Sequence, residues 1–148
     1  MSKVKGKVIK LINKYKTSNL YELCDYLNIK IKRDPLGSTK GYFLNVDGNF
    51  FITLNSSLDE WEERVVLAHE LAHSVLHKKT NICFLKSYTY SVTNKLENEA
   101  NQFAAHILIS DKALNKFSRG YEYVTAEQLS KYFKVPEELI MYKFNNNI

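Results

Sequence analysis

The chain opens with two stretches in which apolar residues recur every three or four positions, the period of an amphipathic helix. Asn19, with Glu22 three residues later, is suited to cap the start of the second stretch, and Asn28 marks its end. The pattern therefore predicts two short helices. Their apolar positions are Val8, Leu11, Ile12 and Tyr15 in the first, and Leu20, Leu23, Cys24 and Leu27 in the second.

Apolar and polar residues then alternate, as they do in a strand with one buried face. Residues 29–32 alternate in this way, and so do most of residues 41–54. The second segment is interrupted by Asp47-Gly48, a dipeptide that favours the tight turn of a β-hairpin. We therefore predict one short strand followed by a hairpin.

The helical period returns after the hairpin. Ser57, with Glu60 three residues later, has the spacing of a capping box, and the helix that follows is expected to reach about His77. A further helix is predicted to begin near Thr93 or Asn94. The apolar positions on its face are Leu96, Ala100, Phe103 and Ile107.

Two more helices are predicted near the end of the chain. Thr125 and Gln128 can cap the first, and Pro136 occupies a position typical of the first turn of the second. Together the elements indicate an α+β fold with a C-terminal helical pair. We expect residues 1–120 to form the main domain and residues 121–148 to form a helical subdomain packed on it.

The segment His69-Glu70-Leu71-Ala72-His73 carries the clearest chemical signal, and it lies inside a predicted helix. Residues i and i+4 lie one above the other on a helix, so His69 and His73 can hold the same tetrahedral ion. Glu70 is rotated by about 100° from His69, which lets it reach a water beside the ion without binding the ion itself. This HExxH pattern in a helix is the signature of zinc peptidases.

A catalytic zinc site usually has three protein ligands and one open position. Glu97 is the candidate for the third ligand, because Asn101 lies one turn later on the same face and can accept the outer N–H of a ligating histidine. Glu99 has no such partner at helical spacing and is the less favoured alternative. Of the remaining histidines, His77 is expected to line the cleft and support the site, and His106 to be partly buried and hydrogen-bonded.

These motifs resemble the ImmA/IrrE family of zinc metallopeptidases. The resemblance covers about residues 18–144 and is carried by residues 66–73, 76–77 and 97–105, with further similarity in residues 51–56 and 129–136. It implies a minimal zincin-like domain of the gluzincin type, with an HExxH helix, a small β-sheet and a glutamate-bearing helix.

The resemblance also implies roles for individual residues. His69, His73 and Glu97 would be the ligands of one Zn²⁺ per chain, and Glu70 would be the catalytic base. The expected partner is a protein substrate, because members of the family cleave helix-turn-helix repressors. Such cleavage releases genes of mobile elements, prophages or stress responses.

The implied reaction is hydrolysis of a peptide bond, in which Glu70 takes a proton from the attacking water and returns it to the departing amine. The predicted hairpin offers an edge strand with which an extended substrate can pair. The C-terminal helical pair is either a second substrate contact or a packing cap, and the sequence favours neither. A further donor to the oxyanion is expected, and the candidates are Tyr88, Tyr90, Tyr121 and Tyr123.

Composition adds a few limits. The 148 residues suit about one domain, and no run of about 18 apolar residues predicts a transmembrane helix. The N-terminal residues lack the apolar stretch of a signal peptide, which favours a cytoplasmic protein with no membrane partner. Cys24 and Cys83 are expected to be buried free thiols. The net charge of +5 permits contact with nucleic acid without requiring it.

Two other functions fit parts of the sequence. One is a transcriptional regulator that binds DNA directly and retains a structural zinc site, since Lys131, Lys134 and Lys143 lie in the C-terminal helical pair. The chain has only three arginines, which offer little for reading base edges, so direct nucleic-acid binding is not favoured. The other is a purely structural zinc module, which would have no need of a carboxylate at Glu70.

Overall fold

The computed structural model describes residues 2–77 and 90–144. Within these ranges seven helices and three strands confirm the predicted α+β class, and none of the helices is long and apolar enough to cross a membrane. The elements are α1 (Lys3–Tyr15), α2 (Leu20–Tyr26), β1 (Ile29–Asp34), β2 (Gly41–Val46), β3 (Asn49–Asn55), α3 (Glu60–Leu76), α4 (Tyr90–Leu108), α5 (Asp111–Ser118), α6 (Ala126–Phe133) and α7 (Glu137–Phe144).

The two N-terminal helices form where the sequence predicts them. The Asn19 side chain accepts hydrogen bonds from two amides of the first turn of α2, at 3.0 and 3.1 Å. Asn28 follows that helix in the left-handed conformation, with a φ of 58°. Cys24 is buried and free, as predicted, and burial raises the pKa of its thiol to about 12. Cys83 lies outside the described residues.

The three strands form one sheet in the order β1-β3-β2, with β1 parallel and β2 antiparallel to β3. Asp47 and Gly48 form the turn between β2 and β3 with φ angles of 51° and 82°, the left-handed values that a two-residue hairpin favours. The predicted hairpin is therefore confirmed. Phe43, Ile52 and Leu54 are buried in the core, and both strands of the hairpin contact α3.

The start of α3 differs from the prediction. The helix begins at Glu60, and its N-cap is Asp59, whose side chain accepts a hydrogen bond from the amide three residues later at 2.8 Å. Ser57 is engaged elsewhere, because Oδ1 of Asn55 accepts hydrogen bonds from its amide and its hydroxyl at 3.0 and 2.9 Å. The predicted capping box of Ser57 and Glu60 is therefore wrong, whereas α3 ends where predicted.

Helix α4 runs beside α3 and brings the glutamate-bearing segment opposite the HExxH segment. It begins at Tyr90, about one turn before the predicted start. Its buried positions include Ala100, Phe103 and Ile107, as the sequence predicts. The core between the two helices is thus built from the predicted apolar face.

The C-terminal helices are joined to both α3 and α4. Helix α6 begins with the predicted capping box, in which Thr125 Oγ1 accepts from the Gln128 amide at 3.1 Å and Gln128 Oε1 accepts from the Thr125 amide at 2.8 Å. Pro136 directly precedes the first residue of α7, which packs on α4. Arg64 of α3 donates a hydrogen bond of 2.6 Å to the main-chain oxygen of Phe133 at the end of α6.

Candidate metal centre

His69 and His73 project from the same face of α3, one helical turn apart. Their Nε2 atoms lie 3.2 Å apart. His73 is almost completely buried, with 1% of its side chain exposed, whereas 20% of the His69 side chain is exposed. One histidine is therefore fixed in the core, and the other borders solvent.

Glu97 of α4 completes the cluster. Its Oε2 lies 2.9 Å from Nε2 of His69, and its Oε1 lies 3.1 Å from Nε2 of His73. One donor atom from each of the three residues lies within 4.8 Å of the others. A tetrahedral zinc ion with bonds of about 2.0–2.1 Å would separate its donors by roughly 3.3 Å, which is close to these spacings. The nitrogen and carboxylate donors therefore fit zinc in both type and separation.

Contacts within the cluster lower the pKa of Glu97 and raise the pKa of His69. Burial raises the pKa of Glu97, but hydrogen bonds from His69 and His73 outweigh burial and hold that pKa far below its usual range. Burial lowers the pKa of His69, yet the Glu97 bond and the neighbouring Glu70 charge leave it above its ordinary value. The carboxylate is thus ionised and ready to bind a cation.

The outer nitrogens of both histidines are also engaged. Nδ1 of His69 donates to Oδ1 of Asn101 at 2.8 Å, the contact that the sequence predicts for a ligating histidine. Nδ1 of His73 lies 3.0 Å from Nδ1 of His77. His77 was expected to line the cleft, but it is buried behind His73 and does not border the cavity that His69 lines. Both imidazole rings are therefore held in orientation by contacts at Nδ1, the nitrogen that faces away from Glu97.

Glu99, the less favoured alternative for the third ligand, lies near the histidine behind His73. Its Oε1 approaches Nε2 of His77 at 3.7 Å. That nitrogen has no hydrogen-bond partner among the described residues. Glu97, and not Glu99, is the carboxylate that meets the two histidines of the HExxH segment.

Glu70 lies beside the cluster on the wall of a cavity of about 540 Å³. Glu70 as a whole is only 8% exposed, so its carboxylate faces a confined space. His69 and Asn101 line the same cavity. The remaining walls come from the residues before and at the start of β2, from α3 and α4, and from the C-terminal pair, and include Lys40, Gly41, Val65, Val66, Ala104, Pro136, Glu138, Leu139 and Tyr142.

The wall from α7 is the part of the site that the sequence does not reveal. Tyr142 lines the cavity and donates its hydroxyl to Oδ1 of Asn98 at 2.9 Å, although it is not among the predicted tyrosine candidates. Tyr121 and Tyr123 are exposed and do not border this cavity. Two further candidates cannot be placed, since Tyr88 and the side chain of Tyr90 lie outside what the structure describes.

His106 belongs neither to the three-residue cluster nor to the cavity wall. It is buried and hydrogen-bonded, in line with the prediction. Its Nδ1 lies 3.3 Å from Nζ of Lys143. Burial, with the positive charge of Lys143, lowers its pKa to about 4. Asp111 accepts from Lys143 at 2.8 Å and from Lys5 at 2.7 Å, so the cluster ties α1, α4, α5 and α7 together.

Comparison with known proteins agrees with this geometry. The sequence model of a peptidase family, described as the IrrE N-terminal-like domain, matches residues 24–145. The chain belongs to this family of metallopeptidases. The ImmA/IrrE resemblance is therefore confirmed, and membership implies a metal ion and a protein substrate.

Two curated relatives are similar to the chain over most of its length. The chain is 32% identical to Metallopeptidase ImmA of Bacillus subtilis (strain 168) over 144 residues, which are 96% of this chain and 84% of that relative. It is 36% identical to Uncharacterized immunity region protein 2 of Bacillus phage phi105 over 137 residues, 92% of this chain and 85% of the relative.

The solved structure is a Mycobacterium tuberculosis transcriptional regulator. It matches this fold with a TM-score of 0.68 and 14% sequence identity, and the match covers 95% of this chain. The matched part is 45% of the regulator, so this chain spans less than half of that protein's length. At this identity the likeness shows a shared fold alone.

Proposed function

We propose that the chain is a zinc-dependent endopeptidase that cleaves a helix-turn-helix transcriptional repressor at a specific site. The observation that carries the proposal is the convergence of two imidazole Nε2 atoms and the Glu97 carboxylate beside a cavity that Glu70 lines. In this proposal His69, His73 and Glu97 hold one Zn²⁺.

A bound zinc would supply Lewis acidity, which lowers the pKa of a coordinated water from 15.7 to about 7 and polarises a carbonyl oxygen. The protein supplies the orientation of the ligands. Asn101 holds the His69 ring through Nδ1, and His77 contacts Nδ1 of His73. These contacts would favour the tautomer that leaves each Nε2 free of a proton when zinc is bound.

Glu70 would act as the general base. It does not belong to the three-residue cluster, yet it follows His69 directly and faces the same cavity. It would accept the proton of the attacking water and then deliver it to the nitrogen of the departing amine. Its buried position protects this proton transfer from competing solvent.

Strand β2 would bind the substrate backbone. It lies at the edge of the sheet, next to β3 only, and its first residue, Gly41, lines the cavity. An extended peptide can add to such an edge through main-chain hydrogen bonds, which do not depend on side-chain identity. Selection of one substrate then needs contacts elsewhere.

The choice of a repressor as substrate rests on the family. The chain resembles a group whose members cleave helix-turn-helix repressors, and one relative is named for an immunity region of a phage. Such a repressor acts on DNA in the cytoplasm, so we place the reaction there. Derepression of mobile-element, prophage or stress genes would follow from cleavage.

Two of the three arginines and one lysine of the C-terminal helical pair have partners within the protein, which favours a peptidase over a direct DNA-binding regulator. Arg33 pairs with Glu63 at 2.6 Å. Arg64 donates to a main-chain oxygen, and Lys143 is buried against Asp111. Side chains with such partners are poorly placed to read bases.

The first test is the zinc content of the purified protein and of two variants. We expect about one zinc per chain in the wild type, clear loss in Glu97→Ala, and retention in the matched variant Glu99→Ala. Wild-type protein that holds no zinc after supplementation would overturn the metal site. Equal loss in both variants would overturn the choice of Glu97 as ligand.

The second test is cleavage of a helix-turn-helix repressor encoded beside the gene. We expect mass spectrometry to find two fragments from a single site with the zinc-loaded wild type. Glu70→Gln should retain zinc and give no fragments, because it keeps the shape of the side chain and removes the base. Cleavage by Glu70→Gln would mean that another group takes the proton.

A further inference from the structure

We propose that the catalytic cavity continues into a second groove that binds the substrate next to the scissile bond, and that Lys40 selects an acidic side chain there. This inference rests on the proposed peptidase function. It assigns a specificity-determining role to a residue outside the HExxH and glutamate motifs. It also assigns the groove one occupant, the polypeptide substrate itself.

The two spaces adjoin each other. The second groove has a volume of about 590 Å³ and lies between the start of α3 and the end of α6. It shares four lining residues with the catalytic cavity, so the two spaces meet along these side chains. The shared residues are Lys40, Val65, Val66 and Pro136.

Because the groove adjoins the catalytic cavity, a segment of the substrate is its natural occupant. An extended polypeptide advances about 3.3 Å per residue, so a protein substrate held at Glu70 must leave the cavity in both directions. Val66 and Pro136 line both spaces, so a substrate that leaves the cavity along them would enter the groove. Trp61, which is 42% exposed, lines the groove but not the catalytic cavity.

Lys40 stands at the junction of the two spaces and has no ion pair or side-chain hydrogen bond within residues 2–77 and 90–144. The other basic side chains of the groove are engaged. Lys131 pairs with Glu127 at 3.1 Å, and Nζ of Lys134 lies 4.0 Å from the centre of the Trp61 ring.

Acidic side chains also border these spaces, but none pairs with Lys40. Asp59 caps α3 through a bond of 2.8 Å, and its neighbour Glu62 lines the groove wall opposite α6. Glu138 lines the catalytic cavity. Among the described residues, Lys40 is the charged side chain that lines both spaces, whereas each of these carboxylates lines only one. A substrate carboxylate at the junction would therefore be attracted by the Lys40 ammonium group, and a substrate lysine there would be repelled by it.

The test uses zinc-loaded protein and a random library of synthetic peptides long enough to fill both spaces. Mass spectrometry identifies each cleaved bond and the residues beside it. We expect Asp and Glu to be enriched about two- to fivefold over Asn and Gln at a fixed distance from the cleaved bond. Lys40→Gln should abolish that enrichment, and Lys40→Glu should replace it with enrichment of Lys and Arg.

The matched control is Lys32→Glu, which makes the same charge change at an exposed position of β1 that borders neither space. It should preserve the acidic preference. The inference is overturned if the wild type shows no charge preference, or if Lys40→Glu keeps the wild-type preference, while Glu70→Gln abolishes cleavage. Absence of cleavage by the wild type, or equal cleavage by Glu70→Gln, instead overturns the peptidase mechanism and this inference with it.

Discussion

Asn101 Oδ1 lies 2.8 Å from Nδ1 of His69, on the side of the ring away from Glu97. The amide oxygen therefore fixes which nitrogen of the imidazole faces the cluster. Removal of such an outer partner typically costs about 10–100-fold in metal affinity. We expect Asn101→Ala to weaken zinc binding by about that factor, measured by competition with a chromophoric chelator.

The control for this prediction is Asn94→Ala, an exposed asparagine of the same helix. Its zinc affinity should equal that of the wild type. If Asn101→Ala binds zinc as tightly as this control, the amide contributes nothing to the metal site. The folded content of all three proteins should be compared by circular dichroism.

His77 offers a second test of the support behind the metal centre. Its Nδ1 lies 3.0 Å from Nδ1 of His73, so it can accept the N–H of that ring. We expect His77→Phe to release zinc roughly 10-fold more readily, and His77→Gln to retain more affinity because its amide oxygen can still accept. Chelator-driven release rates measure both. Equal release from the two variants would indicate a packing role alone.

Gly41 is fixed by the close approach of β2 to α3. A methyl group there would lie 2.8 Å from Cγ1 of Val66 and 2.9 Å from the main-chain oxygen of Thr53. We expect Gly41→Ala to lower the free energy of unfolding by about 1–3 kcal/mol, as overpacking usually does. Urea denaturation measures this, with Ser38→Ala in the exposed loop before β2 as a control that should be near neutral.

Asp111 should make stability depend on pH in acid. Hydrogen bonds from Lys143 and Lys5 lower its pKa from 3.8 to about 2. Because the pKa is lower in the folded state, the stabilisation is present above about pH 4 and is lost as the pH falls toward 2. The side chain is 54% exposed, so we expect only about 1 kcal/mol at neutral pH.

The corresponding measurement compares the wild type with Asp111→Asn by urea denaturation at several pH values. The difference in the free energy of unfolding should be largest near neutral pH and should shrink between about pH 4 and pH 2. Asp34→Asn, at an exposed aspartate of β1, should show no such trend. A difference that stays constant with pH would mean that the Asp111 charge is not involved.

Features set by neighbours in sequence are predictable here. The Asp47-Gly48 turn, the Asn19 cap and the spacing of His69 and His73 each depend on a few adjacent residues, and the structure has all of them. The capping box at Ser57 fails for a local reason as well. Asn55 competes for the Ser57 donors, and pattern matching does not weigh such competition.

Features that depend on the approach of distant segments are not predictable in this way. Tyr142 enters the cavity wall because α7 packs on α4, and no spacing in the sequence links it to His69. The contact between Glu99 and His77 likewise requires the register of α4 against α3. The division of the chain at residue 120 stays a prediction, as do the roles assigned to the metal-site residues.

The cavity wall from α7 has a consequence for the order in which the chain is made. The ribosome releases the HExxH segment and Glu97 well before Leu139 and Tyr142. A nascent chain therefore carries the metal donors while the space beside them is still open on one side. In the proposed enzyme, competence to hold a peptide would therefore arise only after α7 has been synthesised, later than the metal donors.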